Sequence, residues 1–339
     1  MSRDDIRAQQ ARAPGRYRWW LAPVAVVGVL SGALFLLRPD PPPGLFRVAI
    51  QPWPGYAPGY LARDRASWKR EGIRAIELPT DADTVRAMQA RVVEAACLPL
   101  DAVIRMKDQG LDLRVVVVTD YSQGSDAVLS VGTRVATLAG LRGKRVAVER
   151  LGGGMLVLGR ALRQGGLRLA DVTLVNADLP DHLQLAQQNK VDALVTYAPY
   201  KQALLEAGNR LLIDSRQLPG EIVQVVVVRG DVLAGQMGAV RGLVQGWQEA
   251  AGELEEDPAL ASEAARAMGL TPMHFAAARG EVRRVGRSES WALVTGKTRG
   301  LTGAAEAITS DLVEFGLIPE PIPVAALFLS PAEARGLQP

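Results

Sequence analysis

The stretch Phe46-Arg-Val-Ala-Ile50, followed by Gln51-Pro-Trp-Pro-Gly-Tyr-Ala-Pro58, decides how the rest of the chain is interpreted. Its first five residues are typical of a short buried strand, and the prolines and glycine after them prevent helix or sheet. The turn carries Trp53 and Tyr56 in a chain with only 5% aromatic residues. Because open α/β sheets bind ligands beyond the carboxyl ends of their strands, we expect these aromatics either to wall a ligand or to plug a domain surface.

The pattern around this strand returns later in the chain. Arg145-Val-Ala-Val148 matches Arg47-Val-Ala-Ile50, and Val191-Asp-Ala193 matches Val93-Glu-Ala95; both second copies lie 98 residues after the first, as 145 − 47 and 191 − 93 show. Strand-like and helix-like segments alternate in the same order in both halves. The sequence therefore predicts an α/β fold of two similar lobes, with chance likeness between two α/β units as the alternative.

Two strand-like stretches bracket the second copy, residues 126–131 and residues 221–228. If the chain passes between the lobes at both places, these stretches form a two-stranded hinge beside a cleft. We therefore expect residues 45–128 and 223–339 to form the first lobe and residues 129–222 the second.

The amino-terminal part combines positive charge with an apolar run. Residues 1–18 contain five Arg and two Asp, which accounts for the net charge of +3. Residues 19–37 contain no charged residue, and a helix of that length spans about 28 Å, close to the thickness of a bilayer core. The preceding arginines favour a cytoplasmic tail. We expect a transmembrane signal anchor, with a cleaved signal peptide as the alternative, and a Pro-rich linker over residues 38–44.

Composition and motifs exclude several classes of function. Outside residues 1–18 the acidic and basic residues balance, so there is no basic field to attract nucleic acid. His182 and His274 have no partner at metal-ligand spacing, and no phosphate-binding loop, dinucleotide fingerprint or nucleophile elbow follows a strand. The single Cys97 lies in an apolar run and is expected in the core. We expect no metal site, no cofactor and no enzymatic activity.

The candidate ligand contacts follow predicted strands. Gly152-Gly153-Gly154 lies between a strand and a helix, where backbone N–H groups can hold an anion, although a plain loop fits equally well. Asp126 could pair with a cationic group or serve as a turn residue. These residues include no acid–base or nucleophile pair, which favours capture over catalysis. The predicted ligand-binding residues are Gln51, Trp53, Gly55, Tyr56, Pro99, Ser122, Ser125, Asp126, Gly152, Gly153, Gly154, Thr196 and Tyr197.

Taken in order, the motifs resemble those of the periplasmic substrate-binding proteins of ABC importers, in the branch that takes up sulfonates, taurine, nitrate and thiamine-precursor pyrimidines. The resemblance covers about residues 45–320, and the order of the motifs is more specific than any one of them. The motifs are Gln51-Pro-Trp-Pro-Gly-Tyr-Ala-Pro58, Ser122-Gln-Gly-Ser-Asp126, Leu138-Ala-Gly-Leu-Arg-Gly-Lys-Arg-Val-Ala-Val148, Val191-Asp-Ala193 with Thr196-Tyr-Ala-Pro199, and Leu212-Ile-Asp-Ser215.

The resemblance implies a two-lobed periplasmic-binding-protein fold of type II that closes over its ligand at a hinge. The amino-terminal helix is a departure from this family, because many relatives are freely secreted or lipid-anchored, whereas we expect this chain to be held in the membrane by that helix with its soluble domain in the periplasm. We also expect a monomer. Such a protein passes a small organic or anionic solute, of the sulfonate, taurine, nitrate or pyrimidine type, to an ABC permease. A membrane-anchored module that signals ligand occupancy to a membrane partner is the main alternative. Relatives also include a pyrimidine synthase with a cysteine-rich motif, which the single Cys97 argues against.

Overall fold

A computed structural model of the chain describes residues 45–218 and 220–338. Strands and helices alternate along this part, as the sequence predicts. The strands are β1 Phe46–Ile50, β2 Ile73–Glu77, β3 Ala95–Pro99, β4 Leu113–Ser122, β5 Ala127–Ser130, β6 Arg145–Val148, β7 Thr173–Asn176, β8 Ala193–Thr196, β9 Arg210–Asp214, β10 Val223–Arg229 and β11 Val282–Arg284. The α-helices are α1 Ala57–Ala62, α2 Ala66–Arg70, α3 Asp81–Gln89, α4 Leu100–Asp108, α5 Gly154–Gln164, α6 His182–Gln187, α7 Tyr200–Glu206, α8 Gly230–Gly235, α9 Met237–Glu256, α10 Pro258–Ala267, α11 Pro272–Arg279, α12 Arg287–Val294, α13 Gly300–Glu314 and α14 Pro331–Leu337.

The strands form two sheets that share one plan, and each sheet is the centre of one lobe. The first has the order β11-β4-β10-β3-β1-β2 and the second the order β7-β6-β8-β5-β9. In the first sheet β1 runs parallel to β2 and β3, and in the second β6 runs parallel to β7 and β8. In each sheet the next strand is antiparallel to its neighbour. β10 pairs with β3 in the first sheet, although it follows β9 of the second sheet along the chain. β5 pairs with β8 in the second sheet, although it follows β4 of the first sheet.

The internal repeat seen in the sequence is a structural repeat. Arg47 donates from its backbone and guanidinium to the carboxylate of Glu94, with N–H···O distances of 2.7–3.0 Å. Arg145 makes the equivalent contacts with Asp192 at 3.0–3.1 Å, which fixes the same strand against the same turn in the second lobe. Because the paired residues tie β1 to β3 and β6 to β8, the sequence matches mark a shared ion pair rather than chance similarity.

The chain crosses between the sheets twice, and both crossings are loops. One joins β4 to β5 through residues 123–126, and the other joins β9 to β10 through residues 215–222. The expected two-stranded hinge needs correction, because its two strands lie in different sheets: β5 pairs with β8 and β9, and β10 with β3 and β4. The crossings themselves run side by side: the Ser122 amide donates to the Ile222 carbonyl, and the Ser215 amide to the Asp126 carbonyl.

The carboxyl-terminal third packs mainly on the first sheet, as expected from its helical periodicity. Helix α9 contacts α1 and α2, and β11 extends the sheet beside β4. Helix α13 differs, since it contacts both α4 of the first lobe and α5 of the second. Buried Arg160 of α5 donates to Asp311 of α13 at 2.7 Å and to the Glu221 carbonyl at 3.0 Å. The two lobes are therefore tied together on this side as well.

Some local expectations are confirmed and others are not. Strand β1 has the predicted limits, and Cys97 is fully buried in β3. The stretch after β1 is expected to avoid helix up to Pro58, but helix α1 begins at Ala57, because a proline in the first helical turn needs no N–H partner. Helix α2 is separate from α1 because Arg65 has an extended backbone with ψ 149°. The expected membrane helix over residues 19–37 lies outside the described residues. In the part of the chain that is described, helices are too short or too polar to cross a bilayer.

Candidate binding site between the two lobes

The carboxyl ends of the strands of both sheets meet at the interface between the lobes. Tyr197, which follows β8 in the second lobe, accepts a hydrogen bond from the backbone N–H of Asp81, which follows β2 in the first lobe, at 3.2 Å. The Trp53 ring packs edge-on against the Tyr197 ring, with 5.8 Å between centroids. Tyr200 reaches across the same interface and donates to the Pro79 carbonyl at 2.9 Å. This is the place where the fold predicts a ligand cleft.

A row of aromatic rings runs through this interface from one lobe into the other. Trp53 lies 6.4 Å from Tyr56, Tyr56 lies 6.4 Å from Trp247, and Tyr197 lies 6.3 Å from Tyr200, measured between ring centroids. The pairs are tilted or edge-on, an arrangement that adds specific attraction to the buried area. Tyr56 is wholly buried and donates to Gln224 at 2.6 Å, so it belongs to the first lobe's core more than to the interface.

Trp53 is held by a buried carboxylate. Its indole N–H donates to both oxygens of Asp120, at 3.0 and 3.2 Å, and only 3% of the residue is exposed. Asp120 also accepts from the Thr119 hydroxyl at 2.7 Å. Gly55 is necessary for this approach, because a Cβ there would lie 1.7 Å from Asp120 Oδ2. Burial raises the pKa of Asp120 to about 7, although the bonds from Thr119 and Trp53 oppose that rise.

Four further carboxyl groups lie buried at the interface and all have raised pKa values. Burial raises the pKa of Asp126 to about 7, and the charge of Asp101 raises it as well. Burial also raises the pKa of Glu149 to about 7. The pKa of Asp81 lies well above its usual range because of burial and because Glu149 is close, and burial raises the pKa of Asp101. The site therefore disfavours its own negative charge.

Several buried oxygens at this interface lack a hydrogen-bond partner within residues 45–218 and 220–338. They are both carboxylate oxygens of Asp101, Oδ2 of Asp126, Oε1 of Glu149 and the hydroxyls of Ser125 and Thr196. All five residues are at most 4% exposed. Buried polar atoms normally have partners, so unsatisfied oxygens concentrated in one place require an explanation.

The glycine loop of the second lobe, Gly152–Gly154, has an arginine and several carboxyl groups as neighbours. Arg105 of α4 donates across the interface to the backbone carbonyls of Arg150, Leu151 and Gly152, the first and last at 2.7 Å. A Cβ at Gly152 would lie 2.6 Å from Glu149 Oε2 and from the Asp81 Cβ, and one at Gly153 would lie 3.4 Å from an Asp101 oxygen. The loop that the sequence offered as an anion cradle therefore faces three carboxyl groups.

The remaining predicted residues divide between the interface and internal support. Gln51 donates to Asp81 Oδ1 at 2.5 Å, and Pro99 lies 3.3 Å from the position of a Cβ at Gly153. Ser122 bonds the Ser215 hydroxyl at 2.8 Å and so supports the two crossings. Gly154 is the first residue of α5, where a Cβ would press on Val148 and the Glu149 carbonyl. Thr196 ends β8, opposite Ala127.

Residues 45–218 and 220–338 contain no cluster of three or more His, Cys, Asp or Glu residues arranged to hold a metal ion. His182 is buried, and its Nε2–H donates to the Ala177 carbonyl, 3.3 Å away. Its pKa is lowered to about 4 because burial penalises the imidazolium. His274 lies 3.4 Å from Glu206. Each histidine therefore has one local partner, while Nδ1 of His182 is buried without a partner among the described residues.

Sequence reasoning missed Asp81, Asp101, Asp120 and Glu149 as members of this site. A usable signal existed, because each lies within a residue or two of the carboxyl end of a strand or in the first turn of the helix that follows it. The signal is ambiguous, since acidic residues are common in first helical turns, where they interact favourably with the helix dipole. Only the meeting of the two sheets shows that these carboxyl groups share one environment.

Comparison with known proteins agrees with this architecture. Residues 41–269 match the sequence profile of the NMT1-like family. An Escherichia coli (strain K12) protein named as binding aliphatic sulfonates is 26% identical over 201 residues, which cover 58% of this chain and 62% of the relative. The chain thus spans less than two thirds of that relative's length.

Solved structures share the fold at lower sequence identity. The alkanesulfonate-binding protein SsuA from Xanthomonas axonopodis pv. citri, bound to MOPS, superposes with a TM-score of 0.69 at 20% identity, over 84% of this chain and 97% of that one. The desulfurization enzyme DSZB gives a TM-score of 0.60 at 16% identity, over 86% and 98% of the two chains. The expected two-lobed α/β fold of periplasmic binding proteins is therefore confirmed, and the chain belongs to the NMT1-like family.

Proposed function

We propose that this protein is an extracytoplasmic binding protein that captures a small solute between its two lobes and delivers it to an ABC permease. Its family membership and its similarity to a sulfonate-binding relative support this proposal. The observation that carries it is the meeting of Trp53 and Tyr197, one from each lobe, beside buried oxygens that have no partner among the described residues. A site that bridges two lobes couples ligand binding to their closure.

The proposed ligand contacts come from both lobes. From the first lobe they are Trp53, Pro99 and Asp101, and from the second they are Tyr197 and the loop Gly152–Gly154. The crossing residues Ser122, Ser125 and Asp126 form the floor of the cleft, with Thr196 beside them. Gln51, Gly55 and Tyr56 act indirectly in this proposal, because their contacts position Asp81, Asp120 and the aromatic row.

The proposed lobes follow the membership of the two sheets. Residues 45–126 and 223–338 move as the first lobe, and residues 127–222 move as the second, with the hinge at the paired crossings. The boundary lies two residues earlier than residue 128, because Ala127 and Val128 pair with strands of the second sheet. Helix α13 limits the opening, since Asp311 binds Arg160 and Arg163 of the second lobe at 2.7 Å.

In this proposal residues 19–37 anchor the protein in the membrane, residues 1–18 lie in the cytoplasm and the two lobes lie outside it. The proline-rich linker over residues 38–44 keeps the binding site a short way from the bilayer. The anchor raises the local concentration of the binding protein near its permease, which suits delivery. Extraction of membranes with alkaline carbonate tests this arrangement: an anchored chain stays in the pellet, and a chain released to the supernatant contradicts it.

Catalysis has weaker support than capture. A desulfurization enzyme shares the fold, but the single Cys97 of this chain is wholly buried within β3, and both histidines are occupied by local contacts. The buried carboxyl groups at the interface have no neighbouring nucleophile with an activating base among the described residues. We therefore propose that the chemistry of this site is recognition.

Calorimetric titration tests the capture function. The purified chain is titrated with sulfonates, taurine, nitrate, pyrimidines and organic amines, and at least one is expected to bind more tightly than about 1 mM, or about 4 kcal/mol. Copurification then separates the two roles of such a protein, because a permease partner supports import and a receptor kinase supports the sensing alternative. Failure of every compound class to bind would contradict capture itself.

A further inference from the structure

The charge of the captured solute can be inferred from the groups at the interface. Asp126 lies in the middle of the carboxyl groups, because its charge raises the pKa values of Asp81, Asp120 and Tyr56. Its Oδ2 atom and both oxygens of Asp101 are buried, and no group in residues 45–218 and 220–338 donates a hydrogen bond to them. These oxygens accept hydrogen bonds and do not donate them when ionised, so a donor is the complementary ligand group.

Arg105 and Arg160 lie near Asp101, and Lys201 lies near Asp126. Their charges lower the pKa values of these carboxyl groups, but none of the three donates a hydrogen bond to Asp101 or to Asp126 Oδ2. Lys201 donates to Glu281 and to the Gly124 carbonyl, the latter at 2.6 Å. Arg105 donates to three backbone carbonyls of the glycine loop. Arg284 pairs with Glu255. The described residues thus leave both oxygens of Asp101 and Oδ2 of Asp126 without a hydrogen-bond donor, which is costly unless a ligand supplies one.

Aromatic rings contact other carboxyl groups of the same cluster, since Trp53 donates to Asp120 and the Tyr197 hydroxyl lies at Asp81. Trp53 and Tyr197 touch across the interface, and Asp81, at the Tyr197 hydroxyl, belongs to the acidic cluster. Rings of this kind attract ammonium and related cations through the negative face of their π-system, by about 0.5–2 kcal/mol each. Carboxylates combined with aromatic rings therefore recognise a cation twice, by charge and by quadrupole.

An anion would meet repulsion at the position where the fold could best accept one. The amino terminus of α5 lies at Gly152–Gly154, but Asp81, Glu149 and Asp101 approach that loop from the sides. Sulfonate or nitrate bound there would lie against these buried carboxyl groups, which repel an anion whenever they are ionised.

Building on the proposed capture function, we propose that the solute is an organic cation, with its ammonium or amidinium group bound by Asp126 and Asp101 and its apolar part against Trp53 and Tyr197. The absence of a cluster of metal-ligating residues within residues 45–218 and 220–338 favours an organic cation over a metal ion. A zwitterion such as taurine would bind through its ammonium end.

Matched probes test the sign of the charge. The full chain, kept in detergent because of its predicted anchor, is titrated at pH 8 with benzylammonium, phenylmethanesulfonate, choline and taurine. We expect at least one of the two cations to bind about tenfold or more tightly than the sulfonate. Asp126→Asn and Asp101→Asn should each weaken the affinity for that cation by about 30-fold. Asp231→Asn, on the surface of the first lobe, should change this affinity by less than about twofold.

The outcomes separate this inference from the function on which it depends. Preference for the sulfonate, or cation affinity that survives both cleft substitutions, would overturn the cationic ligand and leave capture intact. No binding of any probe, together with no binding of the wider panel, would overturn both. The melting temperature of each variant shows whether it folds: Asp126→Asn should melt at the parent's temperature or above it, because it removes a buried charge.

Discussion

Trp53 and Asp120 act as one unit at the residue scale. The sequence left open whether Trp53 walls a ligand or plugs a domain surface, and the structure shows that its side chain is buried, hydrogen-bonded and packed on two rings. We now expect Trp53→Ala to cost about 3–5 kcal/mol of stability, which is the range for large buried aromatics. A loss of less than about 1 kcal/mol in urea denaturation would show that the ring serves the ligand alone.

Trp53→Phe isolates the hydrogen bond from the ring. The substitution leaves Asp120 with Thr119 as its remaining side-chain donor, so the pKa of Asp120 should rise above about 7. Because the indole N–H binds the ionised carboxylate most strongly, the loss of stability should be larger at pH 8 than at pH 5, about 1–3 kcal/mol at the higher pH. Trp291→Phe, at a half-buried position in α12, serves as the control. Equal losses at both pH values would argue against the pairing.

At the element scale, α5 and α13 pack through a glycine. A Cβ at Gly159 of α5 would lie 2.3 Å from Phe315, just beyond α13, so Gly159→Ala forces the two elements apart. We expect it to lower the free energy of unfolding by about 1–3 kcal/mol. Gly303→Ala is the matched control, because nothing lies within 4 Å of a Cβ there; it should stabilise α13 by about 0.5–1 kcal/mol. Urea denaturation measures the free energy of unfolding of both variants. Similar changes in the two variants would contradict this packing.

The elements were predictable where one local signal determines them. Apolar runs predict strand β1 and the core position of Cys97. The constant spacing of the two sequence copies predicts that Arg145 takes the place of Arg47 in the second lobe. The hinge strands were misassigned because β5 and β10 read as ordinary strands, and only pairing reveals that each belongs to a different sheet. Strand exchange between lobes is a long-range event with no local sequence signal.

The binding site was predictable in outline and not in charge. Trp53, Asp126 and Tyr197 were identified because they follow strands, and the structure brings them to one interface. The sequence left an anion site and a plain loop equally open at Gly152–Gly154, and it could not show that Asp81 and Asp101 enter the interface from other turns. A glycine turn before a helix attracts anions by itself, but the buried carboxyl groups around it reverse that preference.

For the whole molecule, the buried carboxyl groups predict a stability that falls as pH rises. The pKa values of Asp120, Asp126 and Glu149 are raised to about 7, above their ordinary values of 3.8 for Asp and 4.5 for Glu. Folding therefore binds protons, so their contribution is complete below about pH 4 and is lost as pH rises through about 7. The charged groups that face Asp126 are Asp81, Asp101, Asp120, Lys201 and Glu281.

Thermal denaturation of the ligand-free chain at pH 5 and pH 8 measures this effect. We expect a lower melting temperature at pH 8, and a smaller difference between the two pH values in Asp126→Asn. A bound cation should restore much of the loss at pH 8, since it supplies the missing positive charge and binds the folded state. A melting temperature that rises from pH 5 to pH 8 would contradict the uncompensated carboxyl groups.

The central claim is that a small solute is held between the lobes by groups from both. Mass spectrometry of the compound released from natively purified protein tests it most directly. We predict one small nitrogen-containing cation per chain, lost from Asp126→Asn and retained by Asp231→Asn. An anion such as a sulfonate in its place, or a compound that both variants retain equally, would contradict the account.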